Sequence, residues 1–300
     1  MDHAFKAGND TGAVLFARNG YIVAERYSEG REAADLATSW SVAKSVASAL
    51  VGAALDDGLI LNLEQNVSEF IPAWRGTDKS AITLEHLMTL RTALETVDGT
   101  DLYNAPDQLQ LSLDRELVGE PGERHYDYSN ADVMIAGEVI RSATGMPAGA
   151  WLDQRIGATI GFSGDWWTDG AGQVMTYCCL DATPRGFARF GLLFARGGVW
   201  NGTTVLSGDW IEESTRPASE GRYRFYWWSA GSGGIGAFGL HGQIVAVYPE
   251  EDLVVARFSR YTKQGDGRSV REGDNYHDTA EPEEFDNSEF LQLALDSLED

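Results

Sequence analysis

The chain has 300 residues, of which 43% are hydrophobic and 11% aromatic, enough to fill the core of one large domain or two intertwined ones. Forty-six acidic against 23 basic residues leave a formal charge of −23, which repels phosphate backbones and argues against nucleic acid or an anionic membrane as partner. No segment approaches the roughly 18 uninterrupted apolar residues of a membrane span, and Met1-Asp2-His3-Ala4-Phe5-Lys6 lacks the pattern of a secretory signal, so a soluble, cytoplasmic protein is expected.

In chain order, residues 12 to 27 read as two strands joined at Asn19-Gly20, the dipeptide of tight hairpin turns. The small apolar run Val42 to Leu55, stopped by Asp56-Asp57-Gly58, predicts a buried helix with Ser41 at its N-terminus. Helical patterns follow at Thr83 to Leu90, Ala131 to Ala143 and Pro184 to Ala195. Between the last two lie the only cysteines, Cys178 and Cys179; neighbours in sequence rarely bridge, so no disulfide is expected, and two adjacent thiols make a poor metal site. Strand-like runs return at 224–229, 242–248 and 252–259. From Glu272 to Glu289 an acid-rich stretch reads as a solvated connector, and Asp286 with Glu289 opens a final amphipathic helix. The expected fold is α/β (α+β): an antiparallel sheet from residues 1–61 and 196–300, flanked by helices, with a helical region at 62–195 inserted and the active site between them.

Three places carry chemistry. Ser41 and Lys44 stand three apart at the start of the helix, so the amine reaches the hydroxyl on one face. A serine attacks only when a neighbour accepts its proton, and a lysine set among Val42, Ala43, Val46 and Ala47 is desolvated enough to have an accessible neutral form. Taken alone, Ser-x-x-Lys occurs by chance in any helix. The second place is Tyr126-Asp127-Tyr128-Ser129-Asn130, where the Tyr128 phenol can relay a proton, with a cationic neighbour to stabilise its phenolate, and Asn130 can hydrogen-bond both Lys44 and a substrate carbonyl. Alone, this reads as a buried tyrosine beside a helix cap. The third is Ala237-Phe238-Gly239-Leu240-His241-Gly242-Gln243, a glycine-rich strand able to bring bare backbone near a substrate; alone, it reads as a hairpin turn. No Gly-x-Ser-x-Gly elbow occurs, and the five histidines show no metal-type spacing.

In this order the three motifs resemble the serine hydrolases of the β-lactamase and penicillin-binding-protein superfamily. The closer resemblance is to class C β-lactamase-like esterases (family VIII carboxylesterases) and to nylon-oligomer (6-aminohexanoate-dimer) hydrolases. It covers residues 12 to 260 and includes Ser-Val-Ala-Lys-Ser at 41–45, Thr-Leu-Glu-His-Leu-Met at 83–88, Tyr-Ser-Asn at 128–130 and Gly-Leu-His-Gly-Gln at 239–243. The resemblance implies that Ser41 is the nucleophile, that Lys44 and Tyr128 share proton transfer, and that Asn130 orients lysine and substrate. It also implies an oxyanion hole from the backbone N–H groups of Ser41 and Leu240, with Gly239, Leu240 and His241 lining the substrate site, and no cofactor.

One departure bears on substrate. Where β-lactamases carry Lys-Thr-Gly, this chain has Ala237-Phe238-Gly239, which offers no charge to a substrate carboxylate and adds the bulk of Phe238. A small neutral ester or amide is therefore expected over a penicillin. The alternatives are a β-lactamase or D-alanyl-D-alanine peptidase in which Arg124 or Arg222 holds the carboxylate, and a catalytically silent sensor of the same fold. Trp40, Trp166, Trp167, Trp227 and Trp228 are candidates to line the acyl pocket.

Overall fold

Strands from two distant parts of the chain make one antiparallel sheet. The structure, a computed structural model, describes residues 1–123, 126–216, 223–263, 269–271 and 285–298. Thr11–Arg18 (β1) and Tyr21–Tyr27 (β2) form the expected hairpin, its turn made by left-handed Asn19 and Gly20. Tyr223–Arg224 (β3), Trp227–Gly231 (β4), Gly234–Gly239 (β5), Gln243–Tyr248 (β6) and Leu253–Ser259 (β7) follow, and the spatial order is β2-β1-β7-β6-β5-β4-β3. The sheet closes where β1 pairs with β7, Leu15 opposite Ala256 and Phe16 opposite Val255.

Both faces of the central strands are covered, which is why β6 and β7 are buried at every position. Val245, Val247, Val254 and Ala256 belong to the large core beneath the helices Val42–Asp56 (α1) and Pro184–Ala195 (α3), whereas Ile244, Ala246, Leu253 and Val255 pack with the outer helix Asn287–Asp296 (α4). Residues thus alternate between the two cores with the strand period. Gly191 lets α3 settle on the sheet, since a Cβ there would stand 2.8 Å from Val254. Helix α3, read from the sequence as part of the helical insertion, lies on strands β1, β6 and β7, while its Phe187 and Phe190 also meet Phe162 of the insertion.

Helix α1 is buried from Val42 through Ala54, so it runs through the middle of the molecule instead of along its surface. Val46, Leu50 and Val51 each contribute about 1.5–3 kcal/mol by full burial. The helix Leu84–Met88 stops two residues short of its expected end because Leu90 takes a left-handed conformation. Asn130–Thr144 (α2) begins at Asn130, capped by the Ser129 hydroxyl, and α4 begins after Asp286, which accepts from the Glu289 N–H at 2.8 Å.

The cysteines overturn their expectation. Cys178 and Cys179 are joined by a disulfide, with Cα atoms 3.7 Å apart, and both are buried. Cys179 takes a left-handed conformation in this bridge between neighbours. Most of the acidic connector, residues 272–284, lies outside the described residues. Among those described, no helix is long and apolar enough to cross a membrane.

Candidate active site

Ser41 begins α1, but its side chain makes no capping hydrogen bond, which leaves the hydroxyl for other work. Before it, Trp40 holds a left-handed φ of 47°, a conformation that costs a non-glycine residue about 1–3 kcal/mol and turns the chain abruptly into the helix. Lys44 lies one turn on, 1% exposed, with Nζ donating to Ser41 Oγ at 2.9 Å and to the Tyr177 carbonyl at 2.8 Å. Burial alone drives its pKa well below the ordinary lysine value, so the neutral amine that can accept the Ser41 proton is accessible. The Tyr177 carbonyl fixes where that amine sits. Its segment is itself pinned: Thr176 Oγ1 donates to the Val133 carbonyl, Tyr177 Oη to Gln108, and Leu180 N to Ser39 Oγ.

The second motif arrives from the other side of Ser41. The Tyr128 hydroxyl comes close enough to Ser41 for the serine to oppose the rise in its pKa, and the Lys44 amine lies 4.8 Å from the centre of the Tyr128 ring. Although about a third of Tyr128 is exposed, desolvation of its hydroxyl raises the pKa to about 12 against the opposing effect of Ser41. The phenolate is thus disfavoured and Tyr128 keeps its proton at neutral pH. Asn130 departs from expectation. Lys44 bonds Ser41 and Tyr177 instead, and Asn130 Oδ1 is buried without a partner among the described residues.

A buried ion pair that the sequence did not signal braces this motif. Arg115 Nη2 meets Asp132 Oδ1 at 2.5 Å, Thr92 Oγ1 donates to the other carboxylate oxygen at 2.9 Å, and Arg115 Nη1 reaches Ser129 Oγ at 3.4 Å. Tyr128 and Asn130 flank the residue so held.

The third motif ends β5 against the turn before Ser41. Gly239 has to lack a side chain, because a Cβ there would stand 2.6 Å from the Ser39 carbonyl oxygen and 3.0 Å from Trp40. This close approach carries Leu240 to the Ser41 turn. His241 is left-handed, lies 5.2 Å from the Trp40 ring and 4.7 Å from Tyr261, and is pushed down to about 4 by burial, so it is uncharged at neutral pH. Beneath it, wholly buried Arg257 donates to the carbonyls of His241 and Gly242 at 3.1 and 2.6 Å. Ala237 is buried, while Phe238 packs over Gly236 and into the outer cluster. The bulk expected of Phe238 is taken up there, and the lost carboxylate partner comes down to Ala237. Arg124 and Arg222 lie outside the described residues.

Of the five candidate tryptophans, Trp227 stacks on Phe190 and meets Phe194 at a tilt in the core, and Trp40 is buried beside His241. Trp228 alone has its ring against Tyr128, at 6.0 Å. Trp167 is engaged with Asp181, and Trp166 keeps a buried Nε1 with no partner among the described residues.

Residues 1–275 match the Beta-lactamase family. The chain belongs to that family. Its members are serine hydrolases, esterases and amidases among them. The chain is 24% identical over 289 residues to the 6-aminohexanoate-dimer hydrolase of Paenarthrobacter ureafaciens, an alignment covering 84% of this chain and 73% of the relative. A family VIII carboxylesterase superposes with a TM-score of 0.69 at 20% identity, covering 91% of each chain. A penicillin-binding-protein homologue from Caulobacter crescentus gives 0.71 at 16% identity, covering 86% of this chain and 89% of the other. These likenesses establish the β-lactamase fold, and the Ser41, Lys44 and Tyr128 cluster stands in it between helix α1, the start of α2 and the end of β5.

Proposed function

We propose that the protein hydrolyses small, uncharged esters, and amides of the same kind, through an acyl-enzyme on Ser41. The observation that carries this reading is the fully buried Lys44 amine 2.9 Å from Ser41 Oγ, with desolvation favouring its neutral form. Ser41 Oγ attacks the carbonyl carbon and its proton passes to Lys44. The oxyanion so formed is held by the N–H groups of Ser41 and Leu240, and Tyr128 gives a proton to the leaving group and recovers one from Lys44. Water then follows the same path in reverse and frees the acid. No cofactor enters any step.

A neutral substrate is favoured because Ala237 takes the motif position at which carboxylate-binding relatives carry a lysine, and His241 close by on the same segment is uncharged at neutral pH. Ser41→Ala should abolish p-nitrophenyl acetate turnover and fluorophosphonate labelling while the protein stays folded. In the native protein kcat/KM for that ester should exceed the value for nitrocefin by at least about 10². Comparable efficiencies on both substrates would replace the esterase reading with a β-lactamase, and residual turnover by Ser41→Ala would remove Ser41 from the mechanism.

A further inference from the structure

Three aromatic rings, Tyr126, Tyr223 and Trp228, gather beside the proposed proton donor Tyr128 and have no part in the chemistry so far described. Trp228 lies 6.0 Å from Tyr128 at an interplanar angle of 32° and 4.5 Å from Tyr223. Tyr126 lies 5.3 Å from Tyr223, which is also 5.7 Å from Tyr128. Tyr223 forms the buried floor, whereas Tyr126 and Tyr128 keep 37% and 36% of their surface open and Trp228 is partly exposed. The Tyr223 hydroxyl is buried and has no partner among the described residues. Partly open aromatic faces grouped around one buried ring are a surface to which a flat ring adds by offset or edge-on contact, gaining more than an equal area of saturated carbon would.

The general acid must lie next to the atom that departs, so substituents on that atom fall among the rings that surround Tyr128. We propose that Tyr126, Tyr128, Tyr223 and Trp228 form a leaving-group subsite for a flat, uncharged aromatic ring, which makes aryl esters the preferred substrates. This rests on the role given to Tyr128 above. Tyr126, Tyr223 and Trp228 set specificity; they do not take part in proton transfer.

The test uses Ser41→Ala, which holds an ester without cleaving it, titrated calorimetrically with 2-naphthyl acetate and with the saturated decahydro-2-naphthyl acetate. The aromatic ester should bind about tenfold tighter, the scale of one or two good ring contacts. Trp228→Ala and Tyr126→Ala, each placed in that background, should cut the preference to about threefold or less, and Tyr126→Phe should keep it. In the active enzyme Trp228→Ala should lower kcat/KM for 2-naphthyl acetate about tenfold and that for ethyl acetate less than about twofold. Equal binding of the two esters, or a preference of unchanged size in both alanine variants, overturns the subsite. The hydrolase reading fails separately: a native protein that neither turns over ester nor takes the fluorophosphonate refutes that reading, while a ring preference surviving in Ser41→Ala still supports the aromatic site.

Discussion

Cutting the brace under the second motif should cost both stability and rate. Arg115 and Asp132 are 2% and 3% exposed and meet at 2.5 Å, so neither ion has water to fall back on. Asp132→Ala strands a buried guanidinium, a loss of about 3–5 kcal/mol for pairs of this kind. The lower end is expected, because Arg115 keeps its bonds to the carbonyls of Ser112 and Glu95. Asp132→Asn preserves shape and one acceptor but removes the charge, which should cost about 1.5–3 kcal/mol. Urea denaturation at neutral pH, followed by tryptophan fluorescence, measures both, with the slope against urea unchanged. Since the pair also fixes Ser129 between Tyr128 and Asn130, kcat for p-nitrophenyl acetate should fall more than KM rises in the folded Asn variant. A variant within about 0.5 kcal/mol of the native protein and of native kcat would refute the account, because a carboxylate this buried has to matter to whatever it holds.

Gly239→Ala should lower kcat by about 10² or more with the fold retained, since its methyl pushes β5 away from the Ser39 carbonyl and takes Leu240 out of register with the oxyanion; near-native kcat would remove Leu240 from that role. The pH profile of kcat/KM should rise once, as Lys44 loses its proton at a pH well below the ordinary lysine value, and then stay level, because Tyr128 at about 12 keeps its proton. A rate that falls between about pH 8 and 10 would contradict Tyr128 as the donor. Lys44→Ala and Tyr128→Phe should each lower kcat by about 10² or more, and the double variant should lose much less than the product of the two, as expected of groups acting as a unit. Strictly multiplicative losses would contradict a shared relay.

What the sequence made legible was local in character. The three-residue step from Ser41 to Lys44, the Asn19-Gly20 turn and the apolar run of α1 each depend on neighbours along the chain, and each stands in the structure as read. What escaped depends on parts of the chain brought together by folding. Lys44 donates its second bond to a backbone carbonyl at Tyr177, and a carbonyl has no letter in the sequence. Arg115 and Asp132 are 17 residues apart with no periodicity linking them, and the aromatic set joins Tyr126 and Tyr128 to Tyr223 and Trp228 across most of the fold. Phe238 was a different kind of miss. Strand alternation from buried Ala237 already assigns its neighbour to the opposite face, and that period outweighs the position of Phe238 inside the motif.

The pairing of β1 with β7 has a consequence for how the molecule comes into being. Residues 11–18 have β2 on one side, but their other edge waits for residues 253–259, so the early hairpin keeps that edge open while more than two hundred residues are still being made. Closing so long a loop is slow, and an unpaired edge in the meantime invites other chains. Synthesis arrested anywhere before β7 should therefore release a sticky fragment in which the nucleophile-bearing helix has met α2 but the sheet on its other side is still open.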